Sequence, residues 1–242
     1  MARLTGVGVG PGDPELVTVA ACRALRSADR VFAPTVAVDA VGRAESIVRE
    51  AVPDVRVERL VFVMADRATE RTGAVQAAAD RIVAALDVGQ DVAFATLGDP
   101  NLYSTFPLLA SAVEDRRPAT TVETVPGIMA FQALAARCGI VLTDGRQSLA
   151  LVTALDGPPD LDAALARADQ AVVVYKGGRH LPALAETLAS AGRLDSAVVG
   201  ELLGWPGERV GLVKELADGP ASYLATVVVP PRQQGGQPRA RR

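Results

Sequence analysis

Gly6-Val7-Gly8-Val9-Gly10-Pro11-Gly12-Asp13-Pro14-Glu15-Leu16 is the stretch that decides the fold, because it joins an apolar strand pattern to a helix start. The residues from 4 to 9 predict a strand. Asp13 can cap a helix, and Pro14 suits the first helical position, so a helix is predicted from there to about Arg26. The segment therefore reads as the first strand and helix of an α/β domain.

The glycines of this loop predict a close approach of backbone to a ligand. The dinucleotide fingerprint G-x-G-x-x-G fails here, because the third glycine falls on Pro11 when it is counted from Gly6 and on Asp13 when it is counted from Gly8. Asp13 would also repel a phosphate. Two alternatives stay open at this point: a tight turn without a ligand, and a nucleotide-binding oxidoreductase.

Strand and helix patterns alternate outward from this loop to about residue 143, which predicts a mainly parallel sheet with helices on both faces. The pattern breaks at Thr143-Asp144-Gly145-Arg146. We therefore predict two α/β domains, residues 1–143 and 144–229. The strand patterns of the second domain have short links, which favours an antiparallel or mixed sheet. Residues 230–242 are rich in Pro, Gly, Gln and Arg and are predicted to be a disordered tail.

Composition excludes several classes of function. The 242 residues carry a net charge of −3 without a basic stripe, so we expect no nucleic-acid partner. No apolar run is long enough to span a membrane, and no signal-peptide pattern is present, so we expect a cytoplasmic protein without a membrane partner. His180 is the only histidine, and Cys22 and Cys138 are far apart, so no metal site is expected. A Ser-His-Asp hydrolase is also disfavoured, because no G-x-S-x-G motif occurs.

Two further bends follow predicted strands. Thr96-Leu97-Gly98-Asp99-Pro100 leads into Asn101-Leu102-Tyr103-Ser104-Thr105-Phe106, and Val125-Pro126-Gly127-Ile128-Met129-Ala130-Phe131 opens another helix. Ligands of parallel sheets lie outside the carboxyl ends of the strands. Three such bends would line one crevice, and this convergence predicts a ligand site more strongly than any one motif does.

These motifs resemble the tetrapyrrole (corrin and porphyrin) methylase family. The resemblance rests on GVGVGPGDPEL, on GDP after the fourth strand and on the VPG turn, and it extends over about residues 3–229. The run GDPNLYSTF is similar to one branch in particular, whose members methylate C-20 of precorrin-2 or of its cobalt counterpart. A related methylase with another tetrapyrrole substrate stays an alternative, and so does a non-catalytic binding module that kept the fold.

The resemblance implies a homodimer that binds S-adenosylmethionine in a folded shape, releases S-adenosylhomocysteine, and holds a small-molecule tetrapyrrole substrate in a trough between the two domains. Carried over position by position, it implies these cofactor contacts: Pro11, Leu97, Gly98, Asp99, Leu102, Met129, Ala130, Lys176 and Leu203. The sequence departs from the common family pattern at Leu203-Gly204-Trp205, where a polar, small-residue stretch is more usual.

Methyl transfer from a sulfonium to an electron-rich carbon depends mainly on alignment and on exclusion of water. A base would then remove the proton from C-20. The candidate catalytic residues are Asp99, Tyr103 and Ser104, although the last two could equally serve as packing groups. Arginines suit the carboxylates of the substrate, and the candidates, each of which could instead be an ordinary surface charge, are Arg67, Arg71, Arg146 and Arg179.

Overall fold

A computed structural model describes residues 2–62, 68–155, 157 and 161–232, without the side chains of residues 68–71. Within these ranges the chain forms two α/β units, Met1–Met129 and Ala130–Arg242. The prediction of two α/β domains is confirmed.

The first unit is a five-stranded parallel sheet in the order β3-β2-β4-β1-β5. Its elements are β1 (Arg3–Gly8), α1 (Val19–Ser27), β2 (Arg30–Thr35), α2 (Arg43–Ala51), β3 (Val57–Val61), α3 (Ala68–Asp87), β4 (Val92–Thr96), α4 (Phe106–Arg116) and β5 (Thr121–Val125). Every residue of β4 is buried, as expected for a central strand covered on both faces. Phe94 of β4 stacks on Phe106 of α4 in the core, so the sheet and the helix after the GDP motif are firmly joined.

The first helix begins later than the sequence predicts. Asp13 does accept a hydrogen bond from the amide of Glu15 (2.9 Å), but the turn that it caps is a short 3₁₀ helix, Pro14–Leu16. Val17 is extended, and α1 starts only after Thr18, whose hydroxyl accepts from the amide of Ala21 (3.0 Å). The prediction of one continuous helix from Asp13 is wrong, because Asp13 and Thr18 are both capping residues and each starts its own helix.

The second unit is a mixed five-stranded sheet in the order β6-β7-β10-β8-β9. Its elements are α5 (Ala130–Cys138), β6 (Ser148–Thr153), α6 (Leu161–Leu165), β7 (Gln170–Tyr175), α7 (Leu181–Ser190), β8 (Val198–Glu201), β9 (Arg209–Leu212), α8 (Val213–Leu216) and β10 (Thr226–Val229). β6 and β7 are parallel, whereas β10 is antiparallel to both of its neighbours. The predicted mixed sheet is confirmed, and its last strand lies in the middle.

The division between the units falls after Met129, whereas the sequence places a boundary near residue 143. The reason is α5, which contacts β8 and β10 and so belongs with the second sheet. Its Leu134 is fully buried. The Pro126-Gly127 turn therefore precedes the division, and the break in the apolar pattern at residues 143–146 lies inside the second unit.

The first residues of the predicted tail are hydrogen-bonded to the second unit. The buried Arg193 donates from Nη2 to the carbonyls of Gln170 (3.0 Å) and Pro230 (2.6 Å). The amide of Arg232 donates to the carbonyl of Ala168 (2.8 Å). Residues 230–232 are thus part of the fold, and the rest of the predicted tail, 233–242, lies outside the described residues.

Candidate functional site

The three bends of the first unit touch each other through their backbones. A Cβ on Gly8 would lie 2.5 Å from the carbonyl oxygen of Gly98 and 2.6 Å from the amide nitrogen of Gly127. A Cβ on Gly127 would lie only 2.0 Å from the same Gly98 oxygen. Glycine is therefore required at this contact, and the predicted convergence of the bends at the carboxyl ends of β1, β4 and β5 is confirmed.

Two hydrogen bonds join the first bend to the second. The amide of Val9 donates to the carbonyl of Thr96 (3.0 Å), and the amide of Gly98 donates to the carbonyl of Gly10 (2.8 Å). Gly10 and Gly98 have φ values of 80° and 71°, a region that side chains other than glycine rarely enter. This pairing holds the buried Pro11 next to the GDP turn.

Asp99 joins the second bend to the third. Its Oδ2 accepts from the amide of Gly127 (3.0 Å), and its Oδ1 accepts from the amide of Asn101 (2.8 Å). The side-chain amide of Asn101 in turn donates to the hydroxyl of Thr124 in β5 (3.1 Å). Both carboxylate oxygens of Asp99 thus fix backbone geometry, and charge-assisted hydrogen bonds of this kind are strong ones.

Ser104 connects the end of β4 to the start of α4. Its hydroxyl is 3.0 Å from the hydroxyl of Thr96, which is buried, and it accepts from the amide of Phe106 (3.0 Å). The helix after this bend begins only at Phe106, because the segment before it follows the turn that Asp99 and Ser104 fix.

Tyr103 has a strained backbone. Its φ of 52° lies in the left-handed region, which costs a residue other than glycine about 1–2 kcal/mol. The residue as a whole is 43% exposed. Strain of this kind collects at functional sites, where the surrounding structure holds it in place.

The apolar cofactor candidates of the first unit lie at the same bends. Leu97 and Leu102 are half-buried. Met129 is buried, and its sulfur would lie 3.0 Å from a Cβ on Gly98. The structure thus brings together the predicted residues of the first unit around Gly98.

The cofactor candidates of the second unit lie at one edge of its sheet. β7 and β8 are both antiparallel to β10, so they run in the same direction and end at the same edge. Lys176 follows β7 and is half-buried with φ 59°, and burial lowers the pKa of its amine. Leu203 follows β8 and is buried. Ala130 is half-buried at the start of α5, where the amide of Phe131 donates to the hydroxyl of Tyr175 (3.3 Å).

Glu201 supports the segments that carry the candidate residues of the second unit, and the sequence analysis missed it. Its carboxylate is buried at the end of β8, where it accepts from the amide of Ser222 (2.8 Å) and pairs with Arg209 (2.9 Å). Ser222 packs on Gly178, because a Cβ on that glycine would lie 1.9 Å from the Ser222 carbonyl. Glu201 thereby holds the segments around the carboxyl ends of β7 and β8, and the only sequence signal was an acidic residue that ends an apolar strand.

The arginines predicted to meet substrate carboxylates are not gathered by any described contact. Arg146 and Arg179 are exposed on the second unit. Arg67 and the side chain of Arg71 lie outside the described residues.

In the described part of the chain, no three His, Cys, Asp or Glu side chains form a group that could hold a metal ion. None of the described helices has both the length and the apolar character needed to cross a membrane.

Comparison with known proteins gives consistent matches. A family model described as Tetrapyrrole (Corrin/Porphyrin) Methylases matches residues 3–217. A precorrin-2 C(20)-methyltransferase from Sinorhizobium sp is 33% identical over 95% of this chain and 96% of its own length. A cobalt-precorrin-2 C(20)-methyltransferase from Salmonella typhimurium is 32% identical over 94% of this chain and 95% of its own length. The uroporphyrin-III C-methyltransferase of Thermus thermophilus, solved with S-adenosylhomocysteine, shares the fold with a TM-score of 0.64 at 22% identity, covering 94% of this chain and 97% of that chain.

Proposed function

Because the chain belongs to the tetrapyrrole (corrin/porphyrin) methylase family, we propose that it transfers a methyl group from S-adenosylmethionine to C-20 of precorrin-2, giving precorrin-3A in cobalamin biosynthesis. The observation that carries this proposal is that two relatives named for methylation at the C-20 position align with almost the whole chain. One of them is named for the cobalt-containing substrate. That form is therefore the second candidate substrate.

The residues of the first unit fit a donor that lies against backbone. Gly8, Gly98 and Gly127 keep the three bends in direct contact, so a donor bound there would meet Pro11 and the main chain of the GDP turn. Leu97, Leu102 and Met129 supply apolar surface at the same place. When bound, the sulfonium supplies an already activated methyl group, so the protein needs to align the reacting atoms and exclude water.

Within this proposal Asp99 and Ser104 act as positioning residues. Both Asp99 oxygens accept backbone amide protons, and the Ser104 hydroxyl is bonded to Thr96 and Phe106. Tyr103, strained and partly exposed, is the candidate for direct contact with the macrocycle. The sequence analysis gives Asp99, Tyr103 and Ser104 as candidates for the base that removes the C-20 proton. Because Asp99 and Ser104 act as positioning residues in this proposal, Tyr103 is the candidate that remains, and its role stays a prediction.

The second unit would complete donor binding through Ala130, Lys176 and Leu203, as the family resemblance implies. The strained backbone of Lys176 at the end of β7 supports its inclusion. Arg146 and Arg179 are the described candidates for the substrate carboxylates, since their guanidinium groups are exposed. The trough between the domains also stays a prediction.

The test is anaerobic incubation of the purified chain with precorrin-2 and S-adenosylmethionine that carries a ¹³C-labelled methyl group, with the cobalt-containing substrate in a parallel reaction. Mass spectrometry should show the gain of one methyl, and NMR should place the label on C-20. Methylation at another position, or of another tetrapyrrole in a substrate panel, would assign the chain to a different branch of the family. A stabilising shift with NAD but not with S-adenosylhomocysteine would favour the oxidoreductase alternative.

We also propose that the protein acts as a homodimer, as the family resemblance implies, and that it does so in the cytoplasm, the compartment that the sequence analysis predicts. Light scattering coupled to size-exclusion chromatography should give twice the mass of 25.1 kDa. A monomer that retains full methyl transfer would show that dimerisation is not needed for the reaction.

A further inference from the structure

An arginine-lined pocket lies along the free edge of β3, the outermost strand of the first sheet. The pocket has a volume of about 600 Å³. Its apolar lining includes Val38, Val55 and Val57, and its charged lining is Glu45, Arg49, Arg56, Glu58, Arg59 and Arg81. β2 and β3 separate this edge from β4, β1 and β5, which carry the three bends, so the pocket is distinct from that part of the proposed donor site.

The charges of this lining do not cancel. Four guanidinium groups face two carboxylates, which leaves a surplus of two positive charges in one concave surface. A protein of net charge −3 has no general excess of cations that would produce this surplus. A concave surface with a surplus of one sign of charge attracts ions of the opposite sign.

Glu45 fixes two of the arginines. Its side chain is 1% exposed; it accepts from Arg59 at both oxygens (2.7 and 3.1 Å) and pairs with Arg49 (2.5 Å). Burial alone would favour the neutral acid, but the hydrogen bonds and charges of Arg59 and Arg49 outweigh it and hold the pKa of Glu45 below its ordinary value. Arg59 is thereby presented in a fixed orientation, as in a preformed site.

Glu58 fixes Arg81 in the same way. It pairs with Arg81 (3.1 Å) and with Arg30, whose hydrogen bonds keep the pKa of Glu58 low. Arg81 also donates to the carbonyl of Arg59 (2.6 Å) and lies over the ring of Phe32 (5.3 Å). Because the Arg59 carbonyl already accepts this hydrogen bond, the edge strand is less able to pair with an added β-strand at this point.

Arg56 differs from the other three arginines. It is exposed, and within the described ranges its side chain makes no hydrogen bond, only a Coulombic contribution that lowers the pKa of Glu58. Its guanidinium is therefore available to a ligand at little structural cost.

We propose that this pocket binds a small molecule with at least two carboxylate or phosphate groups. Arg59 and Arg81 direct their guanidinium forks at Glu45, Glu58 and the Arg59 carbonyl, so they contribute positive charge at fixed positions, whereas the planar fork of Arg56 can meet two oxygens of the ligand. Arg56 supplies the remaining unneutralised charge. The proposal is independent of methyl transfer, because it concerns residues that the donor and substrate assignments do not use.

The test is calorimetric titration of the full chain with citrate and, separately, with pyrophosphate, at constant ionic strength set with sodium chloride. One saturable site is expected, and the tighter of the two probes identifies the preferred group. Arg56→Gln should weaken binding about fivefold, as for loss of one partly exposed charge-assisted contact. Arg56→Lys should recover part of the loss, because it restores the charge without the planar fork.

Arg23→Gln is the matched control, since Arg23 is exposed on α1 of the same unit and does not line the pocket. It removes the same charge and should leave the affinity unchanged. The proposal is overturned if neither probe saturates, or if Arg23→Gln and Arg56→Gln weaken binding equally, which would indicate a general charge effect. Competition by S-adenosylhomocysteine would also overturn it, because the anion would then occupy the donor site.

Discussion

Replacement of Gly127 by alanine tests whether the contact between the three bends is essential. The new Cβ would lie 2.0 Å from the Gly98 carbonyl oxygen and 2.8 Å from the backbone of Gly8. The third bend would have to retreat by about 1 Å, because Cβ atoms are essentially never found within 3.0 Å of such a neighbour. Overpacking of this kind costs about 2–3 kcal/mol, and loss of the hydrogen bond to Asp99 would add about 1 kcal/mol.

Denaturant unfolding of wild type and variant would measure the loss of stability, and titration with S-adenosylhomocysteine would measure binding. We expect the free energy of unfolding to fall by about 3 kcal/mol in total. We expect the affinity for S-adenosylhomocysteine to fall at least tenfold, because a misplacement of about 1 Å is enough to disrupt an aligned site. Gly73→Ala in α3 is the control: its Cβ would meet no atom of the described residues within 4 Å, and it should stabilise the helix by up to about 1 kcal/mol. Wild-type stability and binding in Gly127→Ala would refute the argument.

Four further predictions follow from the contacts described above. Asp99→Asn should weaken S-adenosylhomocysteine binding and leave the pH profile of turnover unchanged, whereas a general base would change that profile; kinetics and titration separate the two. Ser104→Ala should lower the free energy of unfolding by about 1 kcal/mol through two lost hydrogen bonds while turnover stays within a few fold, and a total loss of activity at wild-type stability would instead indicate a catalytic hydroxyl. Tyr103→Gly should relieve up to about 1 kcal/mol of backbone strain but reduce turnover, which unfolding and activity assays on one preparation would show. The pKa of Glu58 in the folded protein lies below its unfolded value of 4.5, so its contribution to stability is present above pH 4.5 and is lost as the pH falls through the folded pKa. Glu58→Gln should therefore make the free energy of unfolding fall less steeply with decreasing pH. An unchanged pH dependence of unfolding on the acid side would contradict this.

Local patterns were sufficient to predict most of the elements. The alternation of strands and helices was enough to predict the parallel first sheet. The short links of the second half gave the mixed sheet. Three glycine-containing bends at strand ends were enough to predict one site, because carboxyl ends of neighbouring parallel strands lie at the same edge.

Long-range partners could not be predicted from the same patterns. The carboxylate of Asp99 accepts from Gly127, which is 28 positions away, so a residue that reads as a catalytic acid or a helix cap has both its oxygens engaged by backbone. Nothing local indicates that Glu201 reaches the amide of Ser222. The assignment of α5 to the second sheet likewise depends on which surface buries Leu134, and the pattern of a helix does not say which sheet it will cover.

The central place of β10 has a consequence for biosynthesis. β7 and β8 hydrogen-bond to this strand and not to each other, so the second sheet stays in two halves until Thr226–Val229 has left the ribosome. The strands of the first unit are all translated by Val125, so that unit can fold while the ribosome is still at work. A premature stop codon only a few positions upstream of Thr226 would thus release a chain whose first unit is complete. Its second unit would lack the central strand and would expose valine-rich strands that can aggregate.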